Sequence, residues 1–178
     1  MKSVLITGNS KGVGLEITKD LLENTDFNIV GLSRGTTKDL ESLILQYGKR
    51  ITHINFDLSK SDQIPQLYLQ KLKQHGPFVG YINNAATAYD DIITNANLDK
   101  LEEMYHVNVF STFILTKYIL RDMLLHQTKG SIVHISSISA HTGYKGLSMY
   151  ASTKGALEAF SKNTFVQTAF AQVLWKQT

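Results

Sequence analysis

The sequence predicts an α/β protein in which a doubly wound parallel sheet is covered by helices on both faces. Short apolar runs alternate with longer segments of helical period, which is the pattern of consecutive β-α-β units. Several apolar runs are nearly uninterrupted, as in strands that are buried on both faces. With 178 residues, of which 43% are apolar, the chain is expected to form one domain, residues 1–178.

The expected elements follow one another in alternation. The apolar runs predict strands at Val4–Ile6, Asn28–Leu32, Ile51–Phe56, Phe78–Ile82 and Ser131–Ser136. Apolar residues repeated at helical spacing predict helices at Gly14–Glu23, Thr37–Gln46, Ser61–Gln74, Leu98–His126 and from Met149 onward. Right-handed crossovers between such strands place the helices in one layer on each side of the sheet.

The composition argues against several classes of function. The net charge of +3 arises from 18 basic and 15 acidic residues that form no stripe for nucleic acid. The absence of cysteine excludes disulfides, zinc-thiolate sites and thiol catalysis. The sequence has no His-Glu-x-x-His metal motif and no Gly-x-Ser-x-Gly elbow of a serine hydrolase. Since no apolar stretch suits a secretory signal or a membrane span, we expect a soluble cytoplasmic protein without metal, membrane or nucleic-acid partners.

The segment between the first strand and the first helix is expected to bind the diphosphate of a dinucleotide. Glycines there allow a tight turn and let a phosphate approach backbone amides at the positive end of a helix. The expected contacts are Gly8, Asn9, Ser10, Lys11, Gly12, Val13 and Gly14. An ordinary strand-to-helix turn is the alternative interpretation.

The end of the second strand indicates which dinucleotide is bound. Ser33-Arg34 stands where an acidic residue would accept hydrogen bonds from an adenosine ribose. A guanidinium can instead pair with a 2′-phosphate, and Lys11 can supply a second positive charge. We therefore expect NADP(H) rather than NAD(H), with two solvated surface cations as the alternative.

The pair Tyr150 and Lys154 is the most specific chemical signal in the sequence. On a helix these residues lie one turn apart on the same face. A nearby ammonium, aided by a positively charged nicotinamide, is expected to lower the pKa of the Tyr150 phenol from its ordinary value of about 10. Tyr150 could then exchange a proton with a carbonyl or alcohol oxygen, while Ser137 donates a hydrogen bond to the same oxygen. A lone Tyr-x-x-x-Lys is common, so its combination with the other motifs carries the argument.

Asn108 is a poor helix former inside the predicted helix Leu98–His126. It is expected to mark a local distortion that frees a backbone carbonyl to hold a water near Lys154. A buried amide with satisfied hydrogen bonds is the alternative.

Polar segments that follow the third and fourth strands are expected to contact the adenosine. Asp57 and Leu58 follow the third strand and could reach the adenine, although a helix-capping aspartate is nearly as plausible. The run Asn83-Asn84-Ala85-Ala86 follows the fourth strand, and the backbone of Asn84, Ala85 and Ala86 is expected to line the adenosine side of the cofactor.

Together these motifs resemble the short-chain dehydrogenase/reductase family, in the subgroup with Thr-Gly-x-x-x-Gly-x-Gly, from Met1 to about Lys162. The resemblance implies a Rossmann fold, hydride transfer between NADP(H) and a small carbonyl or secondary alcohol, and a homodimer or homotetramer. It further implies that Tyr150 is the catalytic acid and base and that Lys154 binds the nicotinamide ribose. By the same resemblance Ser137 positions the substrate and Asn108 supports a proton relay.

The sequence departs from the family pattern in two places. Ala86 stands where the family usually has glycine, which could tighten the cofactor site. From Asn163 onward the sequence no longer follows the family pattern, so the sixth and seventh strands are expected to be missing. A truncated, a frame-shifted or a naturally short chain would each account for this. The edge of the strand Ser131–Ser136 would then be exposed unless another chain or the tail covers it.

Three functions remain open at this point. The first is a carbonyl reductase or alcohol dehydrogenase, which includes enzymes that resemble 3-oxoacyl-(acyl-carrier-protein) reductases. In that case Gly143–Leu147 is expected to line one wall of the substrate pocket. The second is a catalytically inactive NADP-binding or oligomerisation module. The third is a nucleotide-sugar epimerase or dehydratase, although that branch usually spaces its glycines as Gly-x-x-Gly-x-x-Gly.

Overall fold

The computed structural model describes residues 2–167 and 171–176, and its centre is one parallel sheet of six strands. The strands are β1 Ser3–Thr7, β2 Asn28–Ser33, β3 Ile51–Asn55, β4 Phe78–Asn83, β5 Gly130–Ile135 and β6 Ala171–Lys176. They lie side by side in the order β3-β2-β1-β4-β5-β6. The first five coincide with the expected strands to within a residue at each end, so the doubly wound fold is confirmed.

The sixth strand corrects the expectation that the sheet stops at β5. β6 pairs in parallel with the whole of β5, from Gly130 opposite Ala171 to Ile135 opposite Lys176. The tail of the chain therefore covers the strand edge that the sequence left in question. The pairing uses backbone hydrogen bonds, which a sequence motif does not reveal.

The helices flank the sheet in two layers. They are α1 Gly12–Asn24, α2 Lys38–Tyr47, α3 Ile64–Leu67, α4 Leu98–Tyr105, α5 Ser111–Leu125 and α6 Ser148–Gln167. Within the described residues, no helix is long and apolar enough to cross a membrane.

Two of the expected helices are interrupted. The segment predicted as Ser61–Gln74 consists of α3 between shorter turns, with a π-helical turn at Tyr68–Leu72. The segment predicted as Leu98–His126 is split into α4 and α5 by a π-helical turn at His106–Phe110. Both predictions of a continuous helix were wrong, because a π-turn keeps helical backbone angles and nearly the same apolar period.

The sheet separates two apolar cores. β1 contributes Leu5 to a core on one face, with Tyr81 and Leu115, and contributes Val4 and Ile6 to a core on the other face. All three β1 side chains are buried, and burial of such a side chain contributes about 1.5–3 kcal/mol relative to leaving it in water.

The strand order reverses at β1, which lies between β2 and β4. Crossovers from the two neighbours therefore leave in opposite directions and open a crevice at the carboxyl ends of the central strands. This crevice holds the candidate site.

Candidate active site

A cleft of about 690 Å³ lies at the carboxyl ends of β1 to β4. Most residues expected to contact a cofactor line it, namely Gly8, Ser10, Lys11, Gly12, Val13, Ser33, Arg34, Asp57, Leu58, Asn84, Ala85 and Ala86. Four others that were expected to contact the cofactor do not line this cleft, namely Asn9, Gly14, Tyr150 and Lys154. The cleft thus brings together segments that are far apart in the sequence but follow neighbouring strands.

The loop between β1 and α1 is shaped by glycines that leave no room for side chains. Gly8 has a φ of +69°, and a β-carbon there would lie 2.9 Å from Asn84 Nδ2. A β-carbon on Gly14 would lie 2.3 Å from the carbonyl oxygen of Gly8. Gly14 therefore contributes close packing of α1 against the loop, while Gly8 and Gly12 face the cleft.

Asn84 fastens the glycine loop to the end of β4. Its Nδ2 donates to the carbonyl oxygens of Thr7 at 3.1 Å and Gly8 at 3.2 Å. The Thr7 hydroxyl oxygen in turn accepts from the backbone N–H groups of Asn84 and Ala85, each at 3.1 Å. This network fixes the floor of the cleft.

Asn9 differs from its expected role, because its side chain is fully buried beneath the loop. A β-carbon added to Gly31 would lie only 2.0 Å from Asn9 Nδ2, so the amide packs directly on β2. Asn9 also does not line the cleft. Its side chain thus supports the loop from below and does not face a ligand.

Two cations stand at the β2 end of the cleft. Lys11 and Arg34 are both exposed and both line the cleft. Hydrogen bonds order the backbone next to each cation. Beside Arg34, the Ser33 hydroxyl donates to the carbonyl oxygen of Gly35 at 2.7 Å. Beside Lys11, the carbonyl oxygen of Ser10 accepts from the Thr37 hydroxyl at 2.6 Å. The backbone that carries the two cations is therefore held in place at the edge of the cleft.

Asp57 combines the two interpretations that the sequence left open. Its carboxylate accepts from the backbone N–H of Ser59 at 3.0 Å, as a turn-capping residue does. It also lines the cleft together with Leu58, which is buried.

Tyr150, Lys154 and Ser137 meet where β5 ends against the first turns of α6. Lys154 is 3% exposed, and its Nζ donates to the carbonyl oxygen of Ile135 at 2.8 Å. The same Nζ lies 5.7 Å from the centroid of the Tyr150 ring. Ser137 begins the turn after β5, and its hydroxyl is near enough to the Tyr150 phenol to lower the pKa of that phenol.

The charge states of this group differ from the expectation. Burial raises the pKa of Tyr150, and the carboxylate of Asp90 raises it further, whereas the Ser137 hydroxyl lowers it. Burial lowers the pKa of Lys154 to about 8. Among the protein's own groups, the lowering of the Tyr150 pKa comes from Ser137 and not from Lys154.

Asn108 lies within the π-turn, so the expected local distortion is present. Its Oδ1 accepts from Thr87 N at 2.9 Å, while its Nδ2 donates to the Thr87 carbonyl oxygen at 2.9 Å and to Thr153 Oγ1 at 3.0 Å. The backbone carbonyl of Asn108 accepts from the Thr112 hydroxyl at 3.0 Å. Asn108 thus ties Thr87, on the cleft wall, to the residue before Lys154.

The wall expected from Gly143–Leu147 faces a loop that follows β4. The backbone N–H of Asp91 donates to the carbonyl oxygen of Gly146 at 3.0 Å, which joins the two loops beside Tyr150. The side chain of Tyr144 is 48% exposed in this loop.

The cleft also contains residues that the sequence analysis missed. These are Leu32, Gly35, Thr36, Thr37, Phe56, Thr87, Glu103 and Val107. Most of them directly follow β2, β3 or β4, so the rule that ligands bind at the carboxyl ends of parallel strands could have found them. Glu103 and Val107 come from α4 and the π-turn, and no local motif marks them.

A family model described as short chain dehydrogenase matches residues 2–174. The chain belongs to the short-chain dehydrogenase family. The match continues beyond Lys162, where the motif resemblance was expected to end. Members of this family are oxidoreductases that use nicotinamide nucleotides.

Curated relatives and solved structures agree with this assignment. The chain is 27% identical over 169 residues to the 3-oxoacyl-(acyl-carrier-protein) reductase FabG of Chlamydia pneumoniae, covering 94% of this chain and 68% of that protein. It is 31% identical over 159 residues to Carbonyl reductase (NADPH) 2 of Sus scrofa, covering 89% of this chain and 62% of the relative. This short-chain dehydrogenase therefore spans about two thirds of the length of these relatives.

Two solved structures have the same fold. A short-chain dehydrogenase from Streptomyces avermitilis superposes with a TM-score of 0.87 at 27% identity, over 98% of this chain and 62% of that chain. ElxO, solved with NADP bound, superposes with a TM-score of 0.82 at 29% identity, over 93% of this chain and 67% of that chain.

Proposed function

We propose that this short-chain dehydrogenase transfers a hydride between NADP(H) and a carbonyl compound or secondary alcohol. The observation that carries the proposal is that Tyr150 and Lys154 share one face of α6 near Ser137, while Asn108 joins Thr87 of the cleft wall to Thr153, the residue before Lys154. Each group has a separate chemical task there, and the Lys154 ammonium is held in place by the Ile135 carbonyl at 2.8 Å.

The residues present fit a dinucleotide. Gly8 and Gly14 have no space for a β-carbon, and without side chains there the backbone amides of the loop can approach a diphosphate. Asp57 and Leu58 would hold the adenine end, while Lys154 would hold the nicotinamide ribose. When bound, the nicotinamide supplies or accepts the hydride.

Tyr150 and Ser137 are suited to act on the substrate oxygen. In the reductive direction the Tyr150 phenol donates its proton to the carbonyl oxygen, and in the oxidative direction it removes a proton from the alcohol. The Ser137 hydroxyl donates a hydrogen bond to the same oxygen and stabilises the charge that develops on it. With its pKa at or above the ordinary value of about 10, the Tyr150 phenol carries a proton at neutral pH and can give it to a carbonyl oxygen.

A preference for NADP(H) is supported by Lys11 and Arg34, which both line the cleft at its β2 end. Either cation can pair with a 2′-phosphate, and neither can accept from a ribose hydroxyl. The NADP-bound ElxO structure and the NADPH-named carbonyl reductase among the relatives agree with this choice.

Self-association is part of the same proposal. An apolar groove of about 660 Å³ lies between α4, the π-turn and the start of α6, lined by Leu98, Phe110 and Met149 among others. Leu98 is 73% exposed, which is unusual for a large apolar side chain beside further apolar surface. We propose that a second copy of the chain packs on this face.

The test is a fluorescence titration with NADPH and NADH, followed by addition of a panel of ketones. We expect tighter binding of NADPH and loss of NADPH fluorescence that depends on the ketone. Tyr150→Phe should abolish turnover and leave the NADPH dissociation constant within about threefold, because the phenol oxygen is needed for the proton and not for binding.

Two outcomes would contradict the proposal. Binding of NADPH without turnover of any ketone would support an inactive binding module instead. Retention of most of the turnover by Tyr150→Phe would remove Tyr150 from the proton transfer.

A further inference from the structure

We infer that Glu158 is a positioning residue, which holds the turn that carries Ser137 against the helix that carries Tyr150. The inference rests on the proposed function, since Ser137 is expected to contact the substrate oxygen. Glu158 lies on α6, four residues after Lys154 and eight after Tyr150, so the three side chains form one stripe on the helix.

Glu158 holds both ends of a single short turn. The Ser136 hydroxyl donates to Glu158 Oε1 at 2.6 Å. His141 Nε2 donates to the same carboxylate, at 2.9 Å from Oε2 and 3.0 Å from Oε1. The turn between these two contacts begins at Ser137.

The turn itself is closed by hydrogen bonds that start at Ser137. The Ser137 carbonyl oxygen accepts from Ala140 N at 3.0 Å, and its hydroxyl oxygen accepts from Ser139 N at 3.3 Å and from Ser139 Oγ at 3.0 Å. A shift of either end relative to α6 would therefore move the Ser137 hydroxyl relative to the Tyr150 phenol.

The burial of Glu158 indicates a role in geometry. The residue is 3% exposed, and transfer of a carboxylate out of water is costly unless hydrogen-bond donors compensate for it. The carboxylate is compensated from two sides, by the buried Ser136 hydroxyl and by His141, whose side chain is 42% exposed. Together with the bond from Lys154 Nζ to the Ile135 carbonyl, it holds the two residues before Ser137, Ile135 and Ser136, against α6.

The decisive experiment is a double-mutant cycle on kcat with NADPH and a ketone substrate. If Glu158 acts through Ser137, Glu158→Ala should lower kcat about tenfold in the wild-type background and less than about twofold in the Ser137→Ala background. Glu158→Gln keeps an acceptor oxygen for Ser136 and should recover most of the loss. The dissociation constant of NADPH should stay within about twofold in all variants, because Glu158 does not line the cleft.

Asp122→Asn is the matched control for a general loss of stability. Asp122 is also a buried carboxylate, and it accepts from Phe78 N at 2.8 Å and from the Tyr68 hydroxyl at 3.3 Å, away from Ser137. Its effect on kcat should be equal with and without the Ser137 hydroxyl. An equal loss for Glu158→Ala in both backgrounds would overturn the inference.

A second measurement does not depend on turnover. In Glu158→Ala, the backbone amides of residues 139–142 should exchange hydrogen faster than in the wild-type protein. Glu158→Gln should show a smaller increase, and the amides of residues 8–15 should be unchanged in both variants. If the wild-type protein reduces no ketone, the proposed function fails, and this measurement still tests whether Glu158 holds the turn that begins at Ser137. Unchanged exchange at residues 139–142 would refute that role of Glu158 even in an active enzyme.

Discussion

At the scale of single residues, Lys154 couples function to stability. Its pKa falls from an ordinary value of 10.5 to about 8 on burial, so the folded protein binds this proton less tightly than the unfolded chain. Between pH 8 and 10.5 the unfolded state therefore holds more protons, and the Lys154 contribution to the free energy of unfolding rises with pH. Below pH 8 the charged side chain costs the fold about 3 kcal/mol.

We predict that Lys154→Met is more stable than the wild-type protein at pH 7, by up to about 3 kcal/mol less the lost hydrogen bond to Ile135. The advantage should shrink as the pH rises from 8 to 10.5, because the wild-type lysine then loses its proton. Urea unfolding of both proteins across this range measures the difference, in which the titration of other groups cancels. A constant difference at all pH values would contradict the prediction.

Arg34 is the residue on which cofactor preference is predicted to depend. Arg34→Asp replaces a cation at the β2 end of the cleft with an anion, which repels a 2′-phosphate and accepts from a ribose hydroxyl. The ratio of NADPH to NADH affinity should fall by about tenfold or more. Arg121→Asp, at an exposed position on α5, controls for the change in net charge. An unaltered ratio in Arg34→Asp would place the guanidinium outside the phosphate site.

The sequence could predict those site residues whose chemistry needs a fixed spacing. Tyr150 and Lys154 share a helix face by spacing alone, and Arg34 follows from its place at a strand end. The direction of the Asn9 side chain could not be predicted, because it depends on the missing side chain of Gly31 on a neighbouring strand. Glu158 was also missed, since its partners Ser136 and His141 come from a different segment of the chain.

At the scale of elements, Thr37, the N-cap residue of α2, joins this helix to the glycine loop. The Thr37 hydroxyl accepts from Leu40 N at 3.3 Å as a helix cap and donates to the Ser10 carbonyl oxygen at 2.6 Å. Asn97 caps α4 through Lys100 N at 3.0 Å and lies outside the cleft. Both residues cap the N-terminus of a helix, but only Thr37 also binds the glycine loop.

We predict that Thr37→Ala and Asn97→Ala each lower the free energy of unfolding by about 1 kcal/mol. Only Thr37→Ala should also weaken NADPH binding, by about threefold to tenfold, because it releases Ser10 in the glycine loop. Thermal unfolding and fluorescence titration measure the two effects. Equal NADPH affinities in the two variants would show that the loop does not need this support.

The interrupted helices show the limit of periodicity as a guide to elements. Apolar spacing located the segment Leu98–His126 but could not reveal the π-turn within it, although Asn108 gave a hint as a poor helix former. The partners of the Asn108 side chain lie on the loop after β4 and on α6, which apolar spacing along one helix does not reveal.

At the scale of the whole molecule, the position of the cleft follows from the strand order. The sequence predicted the alternation of strands and helices, and the rule for carboxyl ends then placed the cofactor segments together. The sixth strand was not predicted, because β6 is recognised by its pairing with β5 and not by a motif of its own.

The division of β1 between two cores has a consequence for assembly of the sheet. Successive side chains of this central strand enter opposite cores, Leu5 on one face and Val4 and Ile6 on the other. A slip of one residue would exchange the side chains of both faces, so such a misalignment with β2 or β4 disrupts both cores. A strand as short as Ser3–Thr7 can therefore set the alignment of its neighbours without help from a tight hairpin.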